Sequence, residues 1–374
     1  MTDPILIDGL LGDPSSVLIE GELIAALGDG GRGRAAAGST RRLAGSGLRA
    51  VPGFIELQVN GLGGADVTSR PESLWELAGL LPRHGVTAFL PTVVSSPRGT
   101  VERVLEALAG GHPAEDAAVP LGVHVEGPFL AESRRGAHEA AHLRDPDLGE
   151  IARWVEGGAR LLTLAPERPR ALEAIARIVA GGAIAAVGHT DADAATVARA
   201  VDAGARYATH LFNAMPRLHH RAPGAAGALL DDGRVTIGLV GDGIHVDPLV
   251  LRLAARVAPG RISLVSDAVA GRLGEATVAP DESGAVRLAD GTLAGGHFGL
   301  DHVVRTFAAA VGSMDRAVDA VTAVPGRLLG LHDGRGELRP GGRADLVLLD
   351  DGGAVAATII GGRPAYLVRG VAWP

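Results

Sequence analysis

The stretch VPGFIELQVNG at residues 51–61 is an apolar run that ends in polar side chains, and it begins the pattern that decides the fold. From residue 51 onward, short apolar runs rich in β-branched residues alternate with segments of helical periodicity. Seven further runs of the same kind follow: GVTAFLPTVVSS, PLGVHVEGPF, RLLTLAPE, AIAAVGHTD, RYATHLFNAM, VTIGLVGDGIHV and ISLVSDA. The helix candidates between them are residues 72–84, 99–109, 148–156, 170–180, 192–203 and 248–257.

This alternation predicts an α/β fold with parallel strands, because buried parallel strands read as nearly continuous apolar runs and are joined by helical crossovers. Eight strand–helix repeats predict a closed (β/α)8 TIM-like barrel. A doubly wound sheet is the alternative. It has less support, because no GxGxxG motif follows the first strand.

Both ends of the chain differ from this middle part and read as short strands separated by turns, such as SVLIEGELIAAL and AATIIGGRPAYLVRG. We predict that residues 1–50 and 335–374 pair into one small β-sandwich domain, while residues 51–334 form the barrel. A hairpin inserted after the eighth strand is predicted over residues 274–296, and a loop over residues 28–38.

The composition excludes several kinds of partner and chemistry. A net charge of −8 and a pI of about 5.9 argue against nucleic acid or an anionic membrane as the partner. No apolar stretch has the length of a membrane span, and the start MTDPILIDGLLGD lacks the basic segment of a signal peptide, so we expect a cytoplasmic protein. Cysteine and lysine are both absent, which excludes thiolate ligands, Schiff-base chemistry and a carbamylated-lysine metal bridge.

Polar residues follow the predicted strands at the end where such barrels carry their active sites. They are His124, Glu126, His189, His210, Asp242, His245 and Asp267. Taken singly, each has an ordinary structural explanation, such as a buried hydrogen-bonded histidine or a helix N-cap. Their occurrence at successive strand ends favours a metal site.

Glu126, His189 and His210 supply one carboxylate and two imidazoles. This ligand set suits Zn²⁺ or Fe²⁺ and leaves positions for water and substrate. Asp267, on the last strand, is predicted to act as general base on a metal-bound water molecule. His124 faces the same side of its strand as Glu126 but one layer deeper, and we interpret it as structural.

Gln58 and Asn60 end the first strand at the spacing where metal-dependent hydrolases with such barrels often carry two histidines. Side-chain amides bind divalent transition metals poorly beside imidazole or carboxylate. We therefore interpret Gln58 and Asn60 as a degenerate first metal site. The sequence predicts one divalent metal ion per subunit, with Zn²⁺ as the first candidate and Fe²⁺ as the alternative.

With these motifs the sequence resembles the N-acetylglucosamine-6-phosphate deacetylases of the amidohydrolase superfamily, over essentially the whole chain. The motifs are PGFIELQVNG, HVEGPF, GAH at residues 136–138, VGHTDA, THLFNAM followed by Arg and PG, GDGIHV, LVSDA and GELRPGGRADLVLLD. The resemblance implies deacetylation of N-acetyl-D-glucosamine 6-phosphate to glucosamine 6-phosphate and acetate. It also implies that Glu126, His189 and His210 hold the metal, that Asp267 is the proton shuttle, and that His245 stabilises the developing oxyanion.

The same resemblance implies substrate contacts and an assembly. The contacts would come from Ala137, His138, Asn213, Ala214, His245, Leu293, Ala294 and Gly295. Arg221 matches the family's phosphate-binding arginine, which reaches the site of the neighbouring subunit, so a homodimer is implied. In the segment after LAG, where members usually carry Ser and Thr, this chain reads GGHFG at residues 295–299, which leaves the epimer of the sugar open.

Two other functions stay open on the residues. A related amidohydrolase acting on another N-acyl amino sugar or a cyclic amide would keep the metal ligands but would need no phosphate-binding arginine. A non-catalytic binding protein on the same barrel would be expected to lack Asp267 or a metal ligand, and all of these are present.

Overall fold

Eight parallel strands form the centre of the protein. The computed structural model describes residues 3–35, 40–369, 371 and 373. Its barrel strands are β1 (Phe54–Val59), β2 (Val86–Val94), β3 (Val123–Glu126), β4 (Ala159–Leu164), β5 (Ile184–Val187), β6 (Tyr207–Ala208), β7 (Thr236–Val240) and β8 (Ile262–Val265). They pair in sequence order, each parallel to the next.

The barrel closes where β8 meets β1. The backbone N–H of Asp267 donates to the carbonyl of Gln58 at 3.0 Å, and the N–H of Asn60 donates to the carbonyl of Ala268 at 2.9 Å. Val59 and Ala268 form a parallel bridge at the same place. The predicted (β/α)8 barrel is thereby confirmed.

A helix follows every barrel strand. These helices are α1 (Leu74–Leu80), α2 (Thr100–Gly110), α3 (Leu148–Glu156), α4 (Ala171–Ala180), α5 (Ala194–Asp202), α6 (Gly224–Asp231), α7 (Pro248–Val257) and α8 (Leu300–Val311). Further helices are Gly28–Ala35, Met314–Asp319 and Ala323–Leu328, and 3-10 turns are Pro71–Ser73, Leu81–His84, Glu132–Arg134 and Ala140–His142. Among the described helices, none combines the length and the apolar character that a membrane-spanning helix needs.

Strands from both ends of the chain form two four-stranded sheets. One contains Ile5–Asp8, Ser16–Glu20, Leu23–Leu27 and Arg41–Ala44, and the other contains Arg49–Pro52, Leu346–Leu349, Val355–Ile360 and Arg363–Leu367. Buried side chains of both sheets, such as Ile7, Ile19, Leu346 and Ile359, share one apolar core. This is the small β-sandwich. The strand that begins at Arg49 crosses the boundary predicted at residue 50, and the division into 1–50 with 335–374 and 51–334 stays a prediction.

The insertion after β8 consists of two small antiparallel sheets rather than one hairpin. Their strands are Arg272–Leu273, Ala276–Thr277, Ala279–Pro280, Val286–Arg287 and Leu293–Gly295. The remaining short strands are Gly61–Leu62, Ala65–Asp66 and Val119–Pro120.

The loop predicted over residues 28–38 is wrong for residues 28–35, which form a helix. The rest of that loop includes residues outside the described ranges.

The interior of the barrel contains a polar layer beneath the strand ends. Nε2 of His124 lies 2.8 Å from the Thr163 hydroxyl, which lies 2.7 Å from the Thr209 hydroxyl. Burial lowers the pKa of His124 to about 4, so its ring is neutral. These contacts support the structural interpretation of His124.

Asp301, in the first turn of α8, is held by two basic side chains. Nδ1 of His84 lies 2.6 Å from its Oδ1, and Arg305 donates to its Oδ2 at 2.8 Å. Burial alone would raise the pKa of Asp301, but the hydrogen bond from His84 and the charges of His84 and Arg305 lower it from 3.8 to about 2. A carboxyl whose pKa falls on folding stabilises the protein above its unfolded pKa, and it loses that contribution as the pH falls towards its folded pKa.

Asp301→Asn should therefore lower the free energy of unfolding by about 2 kcal/mol at pH 7. The difference from the wild type should shrink as the pH falls from about 4 towards about 2, where Asp301 takes up its proton. Urea unfolding at several pH values measures both effects. The exposed Asp116→Asn is the matched control and should change stability little. A deficit in Asp301→Asn that does not depend on pH would contradict the assignment.

Candidate active site

A cavity of about 230 Å³ opens at the carboxyl ends of the barrel strands. The described residues that line it are Asn60, Val94, Glu126, Gly136, Ala137, His138, His189, His210, Asn213, Ala214, His245, Asp267, Leu273, Thr292, Leu293, Ala294 and Gly295. All the predicted site residues except Gln58 and Arg221 are among them. Residues from seven strand ends and from the insertion after β8 therefore meet in one place.

Three potential ligand atoms converge in this cavity. Nε2 of His189 and Nε2 of His210 lie 3.2 and 2.8 Å from Oε1 of Glu126, and 3.0 Å from each other. Ligand atoms around a tetrahedral ion with bonds near 2.1 Å lie roughly 3.4 Å apart, so the observed spacing is close to that of a metal site. Nδ1 of His189 lies 2.9 Å from the carbonyl of Arg134 and donates to it, which leaves Nε2 free to bind a metal. The residues present fit a divalent ion.

His138 is an alternative to His210 as the third metal ligand, because Glu126, His138 and His189 also offer ligand atoms within 4.8 Å of one another. Its Nδ1 accepts a hydrogen bond from the backbone N–H of Ser95 at 3.2 Å. Burial lowers the pKa of His138 to about 3, so the ring is neutral and carries its proton on Nε2, which lies 3.9 Å from Oε2 of Glu126. His138 is thus oriented as a hydrogen-bond donor, and His210 is the better third ligand.

The two acidic groups of the cavity differ in their electrostatics. Burial opposes a charge on Glu126, but the adjacent imidazoles of His189 and His210 outweigh it and hold the pKa of Glu126 well below its usual value. Burial and the negative charge of Glu126 raise the pKa of Asp267 to about 6. A carboxylate that titrates close to neutral pH suits proton transfer in both directions.

The backbone of the site is strained. Six non-glycine residues in the described chain have a positive φ, and five of them belong to the site: His189 (49°), His210 (29°), Phe212 (77°), Ala214 (52°) and Asp267 (48°). Such conformations cost about 1–3 kcal/mol each and persist only where the surrounding structure imposes them. Their concentration at the strand ends supports a functional origin.

Asp242 orients His245, a role that the sequence analysis did not assign. Oδ2 of Asp242 lies 2.7 Å from Nδ1 of His245, and its Oδ1 accepts the backbone N–H groups of Ile244 and His245 at 2.9 Å. Although burial opposes it, the hydrogen bond from His245 lowers the pKa of Asp242. The pair leaves Nε2 of His245 for the cavity. An Asp three residues before a His, as in GDGIH, is the signal that could have revealed this pair.

Glu56 is a further residue that the sequence analysis missed. It is buried in β1, and its carboxyl group accepts the backbone N–H groups of Gln58 and Ser266 at 3.1 Å. Burial raises the pKa of Glu56 to about 8, which keeps it protonated at neutral pH. Glu56 is the single charged residue within the strand sequence FIELQV, and this isolated charge is the feature of the sequence that could have indicated a buried carboxyl group.

Arg221 and residues 296–299 of the GGHFG segment do not line the cavity. Arg221 is exposed on the loop after β6, and its Nη1 lies 2.7 Å from Nε2 of His220. Within the described chain, Gly295 lines the cavity, but residues 296–299 do not. His297 is exposed, and Phe298 stacks on His302 with ring centroids 3.9 Å apart. The residues that depart from the resemblance are therefore not in the cavity of this chain.

Comparisons with known proteins agree with this architecture. The model of the amidohydrolase family matches residues 49–365. An N-acetylglucosamine-6-phosphate deacetylase from Bos taurus is 40% identical over 85% of this chain and 84% of its own length. An N-acetylgalactosamine-6-phosphate deacetylase from Escherichia coli O157:H7 is 35% identical over 80% of this chain and 83% of its own.

A solved structure is similar over nearly the whole fold. It is a mutant N-acetyl-D-glucosamine-6-phosphate deacetylase from Mycobacterium smegmatis in complex with N-acetyl-D-glucosamine-6-phosphate. It is 33% identical, covers 97% of this chain and 100% of its own, and has a TM-score of 0.86. The chain therefore belongs to the amidohydrolase family, in the group that contains the N-acetylglucosamine-6-phosphate deacetylases.

Proposed function

We propose that this protein hydrolyses the acetamide of N-acetyl-D-glucosamine 6-phosphate, giving glucosamine 6-phosphate and acetate, as a step in amino-sugar catabolism. The observation that carries the proposal is the meeting of Glu126, His189 and His210 with Asp267 in one cavity. A carboxylate–imidazole ligand set beside a free carboxylate suits amide hydrolysis. The relatives named above carry out, by their names, this reaction or its galactosamine counterpart.

Each residue has a defined part in the proposed reaction. Glu126, His189 and His210 would hold one divalent ion, which supplies Lewis-acid chemistry when bound. Asp267 takes a proton from the attacking water and then delivers it to the departing amine. His245, whose Nδ1 donates to Asp242, faces the acetamide oxygen with Nε2 and, as an imidazolium, stabilises the negative charge that develops there.

The walls of the cavity would bind the sugar. Ala137, His138 and the strand Leu293–Gly295 line it, and Ala137 packs against the apolar cluster that contains Ala294. The backbone around Asn213 and Ala214, with positive φ values at Phe212 and Ala214, resembles the N–H concavities that bind anions. We place the phosphate there.

The charge of the phosphate supports a contribution from a second subunit. Among the described residues that line the cavity there is no arginine. Arg221 is exposed on a loop outside it, which suits a residue that enters the partner's cavity in a homodimer. The same loop carries exposed Leu218, which packs on α6 at Gly227, and the neighbouring α7 exposes Leu249, Leu253 and Val257. An apolar surface of this kind is typical of a subunit interface.

Purified protein should contain about one divalent ion per chain, because the amides of Gln58 and Asn60 cannot replace imidazole as ligands. We expect Zn²⁺ first and Fe²⁺ as the alternative. Elemental analysis of protein purified without chelators measures both the amount and the element. Removal of the ion by a chelator should abolish activity, and re-addition should restore it. Two tightly held ions per chain would overturn the assignment of a single site.

A panel of substrates tests the proposed function. It should contain N-acetylglucosamine and N-acetylgalactosamine, each with and without the 6-phosphate, and one cyclic amide. We expect the highest kcat/KM for N-acetylglucosamine 6-phosphate. The Escherichia coli relative makes the galactosamine epimer the first alternative substrate. If the enzyme prefers that epimer or the cyclic amide, the proposed substrate is wrong, but the proposed metal chemistry still holds. The cytoplasmic location stays a prediction.

A further inference from the structure

The side chains of Gln58 and Asn60 point their amide groups at the predicted base. Nε2 of Gln58 donates to Oδ1 of Asp267 at 3.0 Å, and Nδ2 of Asn60 donates to the same oxygen at 2.9 Å. Gln58 also donates to Oε1 of Glu126 at 3.1 Å. Both amides are buried. Because their partners are carboxylate oxygens, each amide must present its nitrogen, and this orientation is unambiguous.

From this geometry we propose that Gln58 and Asn60 are positioning residues that fix the carboxylate of Asp267 for proton transfer. The inference rests on the proposed function and deepens it. In the described chain, both side-chain donors end on Oδ1, so the carboxylate is held by one oxygen while Oδ2 is left for the water and the amine. The two residues interpreted as a degenerate metal site thus have a positive role, which is to orient the base.

The type of residue suits this use. An amide donates a hydrogen bond without carrying a charge, and it does not titrate, so it cannot compete with Asp267 for the transferred proton. An Asp at position 60 would repel Asp267, and a leucine would leave Oδ1 without this donor. Gln58 divides its two N–H groups between Asp267 and Glu126, which fixes the base relative to a metal ligand.

The burial of the amides argues against a purely structural role. Oε1 of Gln58 and Oδ1 of Asn60 are buried without a partner among the described protein atoms. Apolar side chains of the same size would fill this space without burying such oxygens. The backbone beneath them is already fixed, because the N–H of Asp267 donates to the carbonyl of Gln58. The amides are therefore not needed to close the barrel.

The decisive variants are Asn60→Leu and Gln58→Met, which keep the size and remove the N–H donors. Each should lower kcat by about 10- to 100-fold, because a base that is displaced by a fraction of an ångström transfers protons poorly. KM should change by less than about threefold, since binding of the sugar is untouched. The metal content should stay at the wild-type value in Asn60→Leu, whose side chain contacts no predicted ligand.

A double-mutant cycle separates positioning from general damage. In an Asp267→Asn background the loss caused by Asn60→Leu should vanish, because there is no base left to position. Tyr207→Phe is the matched control, since it removes a buried hydroxyl with no partner among the described residues from the floor of the barrel. It should leave kcat unchanged.

Crystal structures of the metal-loaded wild type and Asn60→Leu give a readout that does not depend on activity. The carboxylate of Asp267 should keep the orientation described here in the wild type and should rotate in the variant. A kcat within twofold of the wild type, an equal loss in the Asp267→Asn background, or an unmoved carboxylate would overturn the proposal. If the wild type hydrolyses none of the sugars, the proposed function fails, and these two structures alone decide the role of the amides.

Discussion

Asp267→Asn should lower kcat by at least about a thousandfold while the protein keeps its metal and its affinity for substrate. Asparagine has the same shape as aspartate but cannot accept a proton from water. The change therefore removes the base without creating a cavity. Steady-state kinetics, elemental analysis and binding of the substrate by calorimetry measure the three quantities separately.

Glu56→Gln provides the matched control for this prediction. Burial raises the pKa of Glu56 to about 8, so its side chain is neutral at pH 7 and a glutamine can replace it as an acceptor of the N–H groups of Gln58 and Ser266. We expect a change in kcat of less than about threefold. An Asp267→Asn protein with near-normal turnover would move the role of base to another residue, and His245 is the next candidate.

Arg221→Ala should raise KM for the phosphorylated substrate by roughly 30- to 1000-fold. A guanidinium–phosphate pair is bidentate and charge-assisted, and its loss costs about 2–4 kcal/mol of binding. Unphosphorylated N-acetylglucosamine should be hydrolysed slowly by both proteins, and the substitution should hardly change that rate. Arg217→Ala, an exposed arginine on the same loop, is the control and should leave KM nearly unchanged. An unchanged KM in Arg221→Ala would contradict the phosphate-binding role.

Mixed dimers show which subunit supplies the arginine. Arg221→Ala subunits are exchanged with Asp267→Asn subunits. If the arginine acts on the partner's site, each heterodimer contains one site that lacks both groups and one that has both, so activity should reappear. If it acts within its own chain, every site stays defective and mixing restores nothing.

The barrel could be predicted from the sequence because its signal is local. Each buried strand is an apolar run, and the proposed metal ligands follow those runs directly, so Glu126, His189 and His210 stand out without knowledge of any long-range contact. The helix Gly28–Ala35 could not be predicted in this way. Its glycines disfavour a helix, and the helix is held by tertiary packing, since Gly31 is buried in contact with Ser16 and Leu18 of a distant strand.

The hydrogen bonding and protonation of the site depend on contacts between distant segments and could not be predicted from the sequence. The direction of the amides of Gln58 and Asn60 and the tautomer of His138 depend on partners from other strands or loops. The protonated state of Glu56 depends on its burial by the folded barrel. From the sequence alone, Gln58 and Asn60 are interpreted as a lost metal site, because the spacing shows that two histidines are absent but does not reveal the hydrogen bonds of the residues present. Arg221 came only from the resemblance, since an exposed arginine has no local signal of function.

The closure of the barrel also has a consequence for how the protein becomes active as it folds. The base and the amide of Gln58 that holds it are 209 residues apart in the chain. The β-sandwich joins Arg49–Pro52 to Leu346–Leu349 over a still longer separation. Contacts at such separations form late, because the entropy of closing the chain must be overcome first. Catalysis therefore requires the nearly complete chain, and a ribosome-bound fragment that ends before β8 would contain the proposed metal ligands but not Asp267, the proposed base.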